Sequence, residues 1–151
     1  MASKVAIAEA MADQIRDVLT GVDWDFQVEP RMVLSPTPPS IDMYPGDPAT
    51  DAELASFGAT VEDMASGFIF NVRARISPTD HEAGQEVLLE LSDPASDLSL
   101  VHALYDDPTL GGIASDLNLA SESGFTLFSD LDPTKVYLGM LWRFVVIPAR
   151  S

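Results

Sequence analysis

No cysteine occurs among the 151 residues. Disulfides, thiolate metal sites and cysteine nucleophiles are therefore excluded, although no compartment follows from the absence. Cations are nearly as scarce, with eight Lys and Arg against 24 Asp and Glu and a formal net charge of −16. From Ile76 to Thr134 there is no Lys or Arg, while Asp80, Glu82, Glu86, Glu90, Asp93 and Asp97 open a long acidic stretch. Gripping a phosphate backbone needs clustered cations, so direct nucleic-acid binding is not expected. The unbroken apolar run of a signal peptide or membrane span is also missing. The chain instead starts Met1-Ala2-Ser3-Lys4 and enters an amphipathic pattern carrying Glu9, Asp13 and Asp17, so a soluble protein without membrane contact is expected. Histidine is limited to His81 and His102, and neither has a metal-ligand neighbour at helical or strand spacing. His81 is expected on the surface and His102 as a partly buried packing residue.

A hydrophobic fraction of 46% is enough for a real core in one domain spanning 1–151. Val5, Ala8, Met11, Ala12, Ile15, Val18 and Leu19 recur at three- and four-residue steps, which predicts a helix with Ser3 as N-cap and Gly21 as its stop. Trp24, Phe26 and Val28 alternate with polar residues as a short strand. Ser35 to Pro48 then holds five of the eleven prolines. Proline removes a backbone donor, so this segment is not expected in central sheet, and only Ile41 and Met43 suggest a brief edge strand. Together with the small, acidic residues up to Ser66, it predicts an extended loop over 36–66.

The clearest strand puts Phe68, Phe70, Val72, Ala74 and Ile76 on one face and Ile69, Asn71, Arg73 and Arg75 on the other. Thr79 and Glu82 form a capping box for a helix with Ala83, Val87, Leu88 and Leu91 inward, ended by Pro94. Ser96 or Asp97 caps a second short helix with Leu98, Val101, Leu104 and Tyr105 inward. An alternating strand is predicted from Leu117 to Phe128 and a second from Tyr137 to Ile147, paired as a hairpin across Ser129 to Lys135. The last strand is apolar on both faces, as a central strand is. The predicted class is α+β, a mixed or antiparallel sheet flanked by two or three helices.

The search for chemistry returns no catalytic, metal or cofactor site. No serine sits in a G-x-S-x-G elbow, and Gly111-Gly112 has no Walker lysine. Asp106-Asp107 and Asp130-Leu131-Asp132 offer oxygen ligands for a hard cation but no EF-hand loop, and read more simply as a helix end and a turn. Arg73 and Arg75 stand out where cations are rare. Either nearby carboxylates neutralise them on an exposed strand face, or they pair with the acidic stretch of a neighbouring subunit. On the second view, changing both to Glu leaves the fold intact and weakens assembly.

The run Asp107-Pro108-Thr109-Leu110-Gly111-Gly112-Ile113-Ala114-Ser115-Asp116-Leu117, the segment Pro36 to Pro48, and the closing strand around Tyr137-Leu138-Gly139 together resemble the tail-terminator proteins of long-tailed phages. The resemblance covers most of the chain and rests on the order of elements, not on a catalytic signature. It implies a non-enzymatic virion protein, assembled in the host cytoplasm and placed at the head-proximal end of the tail. There a homohexameric ring would end polymerisation of the tail tube and join the head connector. Its implied partners are further copies of itself, the tail tube protein and the neck protein, with the genome passing through the lumen without specific binding. Ile41, Met43, Tyr44, Arg73, Arg75, Asp106 and Asp107 would contact a neighbouring subunit or the tail. The sparse cations depart from what ring ion pairs need. A neck connector of the same virion, or an acidic intracellular adaptor, are the alternative functions. The acidity fits either a solubilising surface or a DNA-repelling inner wall.

Overall fold

A computed structural model describes residues 3–20, 24–46, 67–77 and 81–149, with the side chains of Phe68 and His81 outside that set. The expected stop at Gly21, the Thr79 cap and the part of the loop from 47 to 66 lie outside the described residues.

Helix α1, Lys4–Leu19, starts where Ser3 Oγ accepts the Ala6 N–H at 3.1 Å. It buries Ile7, Ala8, Met11, Ala12, Ile15 and Leu19. Val5, expected inward, is 68% exposed, because the packed stripe begins only with Ile7 one half-turn later. Strands β1 (Gln27–Glu29), β2 (Ser40–Pro45) and β3 (Phe68–Ile76) follow, then helices α2 (His81–Ser92) and α3 (Leu100–Tyr105). Strands β4 (Ala114–Glu122), β5 (Thr126–Ser129) and β6 (Val136–Pro148) complete the order. The sheet runs β1-β2-β3-β6-β4, with β5 also on β6. Only β1 and β2 are parallel, and the other pairs are antiparallel. Among the described residues this is a mixed six-stranded sheet with three helices, an α+β fold.

Four expectations need correction. The stretch from Ile41 to Met43 is not an edge, because β2 lies between β1 and β3. Ser40 to Tyr44 contains no proline, so every amide in it can join a ladder, and Pro45 comes only at its end. The strand predicted over Leu117 to Phe128 is two strands. They break at Ser123, whose backbone and side chain both bond Leu141, and at Gly124, whose φ is 72°. Ser99, not Ser96 or Asp97, caps α3, its Oγ accepting the His102 N–H at 3.2 Å. Tyr105 and His102 point outward from α3, which buries Leu100, Ala103 and Leu104 instead.

On α2 the inward residues are Val87, Leu88 and Leu91, as expected, but Ala83 is exposed and Gly84 takes its place. A Cβ at Gly84 would collide with Ile76 Cγ2, so the glycine sets how closely α2 lies on β3.

Strand β6 lies between β3 and the β4–β5 arm. Met140, Trp142, Phe144 and Val146 face the helices and join Phe70, Val72, Ala74 and Ile76 of β3 in the core. Trp142 is fully buried although its indole N–H has no protein acceptor, so its contribution is apolar packing. Trp142→Ala is expected to lower the unfolding free energy by about 3–5 kcal/mol. Urea denaturation measures this, and a loss below about 1 kcal/mol would place the side chain outside the core.

Candidate functional site

The face of the sheet away from the helices carries the polar residues. Side chains alternate along a strand, so Ser40, Asp42 and Tyr44 of β2 share this face with Asn71, Arg73 and Arg75 of β3. The register sets Asp42 opposite Arg73 and Ser40 opposite Arg75. Asp42 Oδ1 accepts from Arg73 Nε at 3.0 Å, and Oδ2 accepts from Arg73 Nη2 at 2.6 Å and Arg75 Nη2 at 3.2 Å. The pairing with Arg73 is bidentate, the strong arrangement for a guanidinium and a carboxylate.

A strap of chain, residues 30–39, covers this face. It exists because parallel β1 and β2 need a crossover, and here no helix supplies one. Its Val33 N–H donates to Asp42 Oδ2 at 2.9 Å. The Val33 carbonyl accepts from Arg75 Nη2 at 2.7 Å and Arg73 Nη2 at 3.3 Å. Under the strap Asp42 and Arg75 are buried, and the Arg73 side chain is 12% exposed. One carboxylate therefore serves two guanidiniums in a nearly dry site. Burial pushes the Arg75 pKa below its ordinary value, with Asp42 pulling the other way. Burial likewise raises the Tyr44 phenol, against the opposing pull of Arg73. Arg73 also lies 5.1 Å from the Tyr44 ring centroid and 5.4 Å from that of Phe128, a cation–π contact on two rings. Phe128 pairs with Tyr137 on β6, and its ring can lie there because Gly139, two residues further along β6, has no side chain: a Cβ would strike both the Phe128 ring and the Ala74 carbonyl. Two polar atoms in the cluster, Arg75 Nε and Ser40 Oγ, are buried without a partner.

A second carboxylate ties the strap to the β5–β6 turn. Ser35 Oγ donates to Asp130 Oδ1 and Tyr137 Oη to Asp130 Oδ2, each at 2.7 Å, while Leu131 N–H meets the Leu34 carbonyl at 3.4 Å. These bonds, Ser35 first and Tyr137 next, hold the Asp130 pKa down at about 2. The same bond raises the Tyr137 phenol.

The residues expected to meet a neighbour are placed as follows. Ile41 and Met43 are fully buried on the helix side of β2 and cannot present themselves to a partner. Tyr44 is half-buried beside Arg73. Arg73 and Arg75 are neither on an open strand face nor available to another subunit, because Asp42 of the same chain holds both. Asp106 ends α3, its N–H donating to the His102 carbonyl. Asp107 accepts from Thr109 N, Thr109 Oγ1 and Gly111 N at 3.1, 2.6 and 2.8 Å, which fixes the turn where Leu110, Gly111 and Gly112 all have positive φ. Asp132 does the same for Thr134. Among the described residues no three His, Asp or Glu gather as metal ligands. Sequence reasoning missed Asp42, Val33 and the Asp130–Tyr137 bond. Asp42 carried a signal: an acid inside an apolar strand, at the parity that matches Arg73 and Arg75.

Side chains bond outward-facing backbone groups of β1 and β4 at the sheet margins. Arg16 of α1, paired with Asp13 at 3.0 Å, donates from Nη2 to the Val28 carbonyl of β1 at 2.6 Å. At the other edge the Tyr105 hydroxyl accepts the Leu119 N–H at 2.7 Å, and Asp116 Oδ1 accepts the Leu117 N–H.

Asp42→Asn is expected to destabilise the protein by about 3–5 kcal/mol, since it leaves two buried guanidiniums without a counter-charge. By contrast Asp13→Asn, at an exposed pair, should cost under about 1 kcal/mol. Chemical denaturation of the two variants side by side decides it, and equal losses would refute the buried-cluster account. Arg75→Glu, one half of the double change that sequence alone expected to spare the fold, should unfold it by placing a second carboxylate against Asp42.

Asp130 gives a pH dependence with a definite sign. Its folded pKa lies below the unfolded value of 3.8, so its contribution is complete above about pH 5 and disappears as pH falls toward 2. The stability difference between wild type and Asp130→Asn should therefore be flat from pH 5 to 7 and shrink between pH 4 and 2. A difference that grew on acidification would contradict the bond pattern. Compared with known protein families and with curated proteins, the chain matches none.

Proposed function

We propose that the protein is a structural ring subunit of the tail-terminator type, which caps a phage tail tube and joins it to the head connector. What carries the reading is the way the chain uses its polar groups. Asp42, Asp107, Asp130 and Asp132 each accept hydrogen bonds from their own chain. They act as staples for strands, strap and turns, and a saturated carboxylate has little left to offer a substrate.

Exposed apolar side chains, by contrast, gather on the strap and the β5–β6 end of the sheet, where Met32, Leu34, Phe125, Leu127, Leu131 and Val136 are all exposed. Grouped apolar exposure on a chain this charged points to protein–protein contact. The family resemblance itself rests on the sequence order of the segment Pro36 to Pro48, the run Leu110-Gly111-Gly112-Ile113 and the closing strand around Tyr137-Leu138-Gly139. In this reading the protein is no enzyme and needs no cofactor. Its partners are further copies of itself, the tail tube and the neck, and the acidic surface lets DNA pass without sticking.

Mass photometry followed by negative-stain imaging tests the proposal. Six copies of the 16.3 kDa chain make a particle of about 98 kDa. A ring-shaped species of that mass, alone or on added tail tubes, is the expected result. A monomer that neither closes a ring nor binds tube ends would refute it.

A further inference from the structure

We infer that the strap, residues 30–39, is a lid: it lifts off the sheet as one unit, while the strands stay paired, and uncovers the guanidiniums of Arg73 and Arg75. Such opening belongs to the single chain and does not depend on ring formation.

Apolar burial is what chiefly holds a segment down, and segments with little of it open locally. Of the ten strap side chains only Pro36 is buried, while Arg31, Met32, Leu34, Ser35 and Thr37 are exposed. The bonds that fasten the strap are polar. Asp42 accepts the Val33 N–H, and the two guanidiniums donate to the Val33 carbonyl. Further along, Asp130 accepts from Ser35 Oγ at 2.7 Å. Water can replace bonds of this kind when a loop lifts, so their loss costs far less than exposing core.

The closed strap also carries a penalty. Arg75 Nε and Ser40 Oγ, which face one another across β2 and β3, are buried beneath it with no protein partner. A buried polar group left unpaired costs free energy that lifting the strap returns. The sheet keeps its own fastenings meanwhile: β2 stays in its six-residue register with β3, and Asp42 retains both bonds to Arg73. The ends of the strap are tied as well, since Glu29 pairs with Asp42 and the Gln27 N–H donates to the Pro39 carbonyl at 3.0 Å. A ten-residue loop with joined ends can lift without moving the strands beneath it. Once it is open, two positive charges face the solvent against the one negative charge of Asp42.

Amide hydrogen exchange followed by NMR tests the lid. The Val33 N–H reports on the strap, and the amides of Trp142 and Phe144 in β6 report on the sheet. Val33 is expected to be protected at least about a hundredfold less than those two, and to respond little to dilute urea, because a local opening exposes little surface. Ser35→Ala, at the exposed Asp130 bond, should speed Val33 exchange about fivefold and leave the β6 amides unchanged. Phenylglyoxal should label Arg75 through the same opening, and faster in Ser35→Ala by the same factor. A Val33 amide that exchanges at the rate of the β6 amides, with their urea dependence, would overturn the lid. So would Val33 exchange that is indifferent to Ser35→Ala. Rapid Val33 exchange with Arg75 unlabelled in both chains would overturn it too, since the strap would then fray without uncovering the site.

Discussion

Asp42 is the residue on which the rest of the described structure depends. It joins β2 to β3 through Arg73 and Arg75, and it holds the strap through the Val33 amide. Three separate stretches of chain therefore meet at one carboxylate. Burial of this kind is costly, because each ion loses its water, and it is tolerated only when the geometry replaces those lost bonds. Here the replacement is nearly complete on the acid and incomplete on the base, with Arg75 Nε left over. Such a site defines which strands are neighbours more than it adds to net stability. A β2 slipped by one residue would turn Asp42 into the core and Ile41 out of it.

The strap gives the sheet a second covered face without a second layer of helices. A parallel pair at the sheet margin normally invites a helix over the top, but ten residues with four prolines cross instead. Polar bonds, not apolar burial, fasten it. Val33 is held at its middle and Ser35 beyond, while Pro36 is buried next to them. The exposed Met32 and Leu34 follow from this fastening, since a strap anchored through its backbone is free to turn side chains outward.

Much of the fold was legible because periodicity reports which face is buried. The alternation in β3, the two-sided apolarity of β6 and the spacing in α1 led directly to the core and to the central strand. What the pattern could not convey was partnership across long sequence distances. The acid that neutralises Arg73 is 31 residues away, and proline content alone made its neighbourhood look like loop. The same blindness assigned Arg73 and Arg75, both held by Asp42 of their own chain, to a neighbouring subunit. Gly84 was invisible for a different reason: its role comes from a close approach to Ile76, and no repeat in α2 encodes that distance.

The side chains at the sheet margins have a consequence for encounters between identical chains. An open strand edge is a template, and any identical chain can extend it one hydrogen-bond ladder at a time without limit. Arg16 over Val28 and Tyr105 over Leu119 put side chains where such a ladder would begin. Sheet extension is thereby obstructed at β1 and β4. An identical chain approaching either of those positions meets a side chain already bonded to the group its own backbone would need.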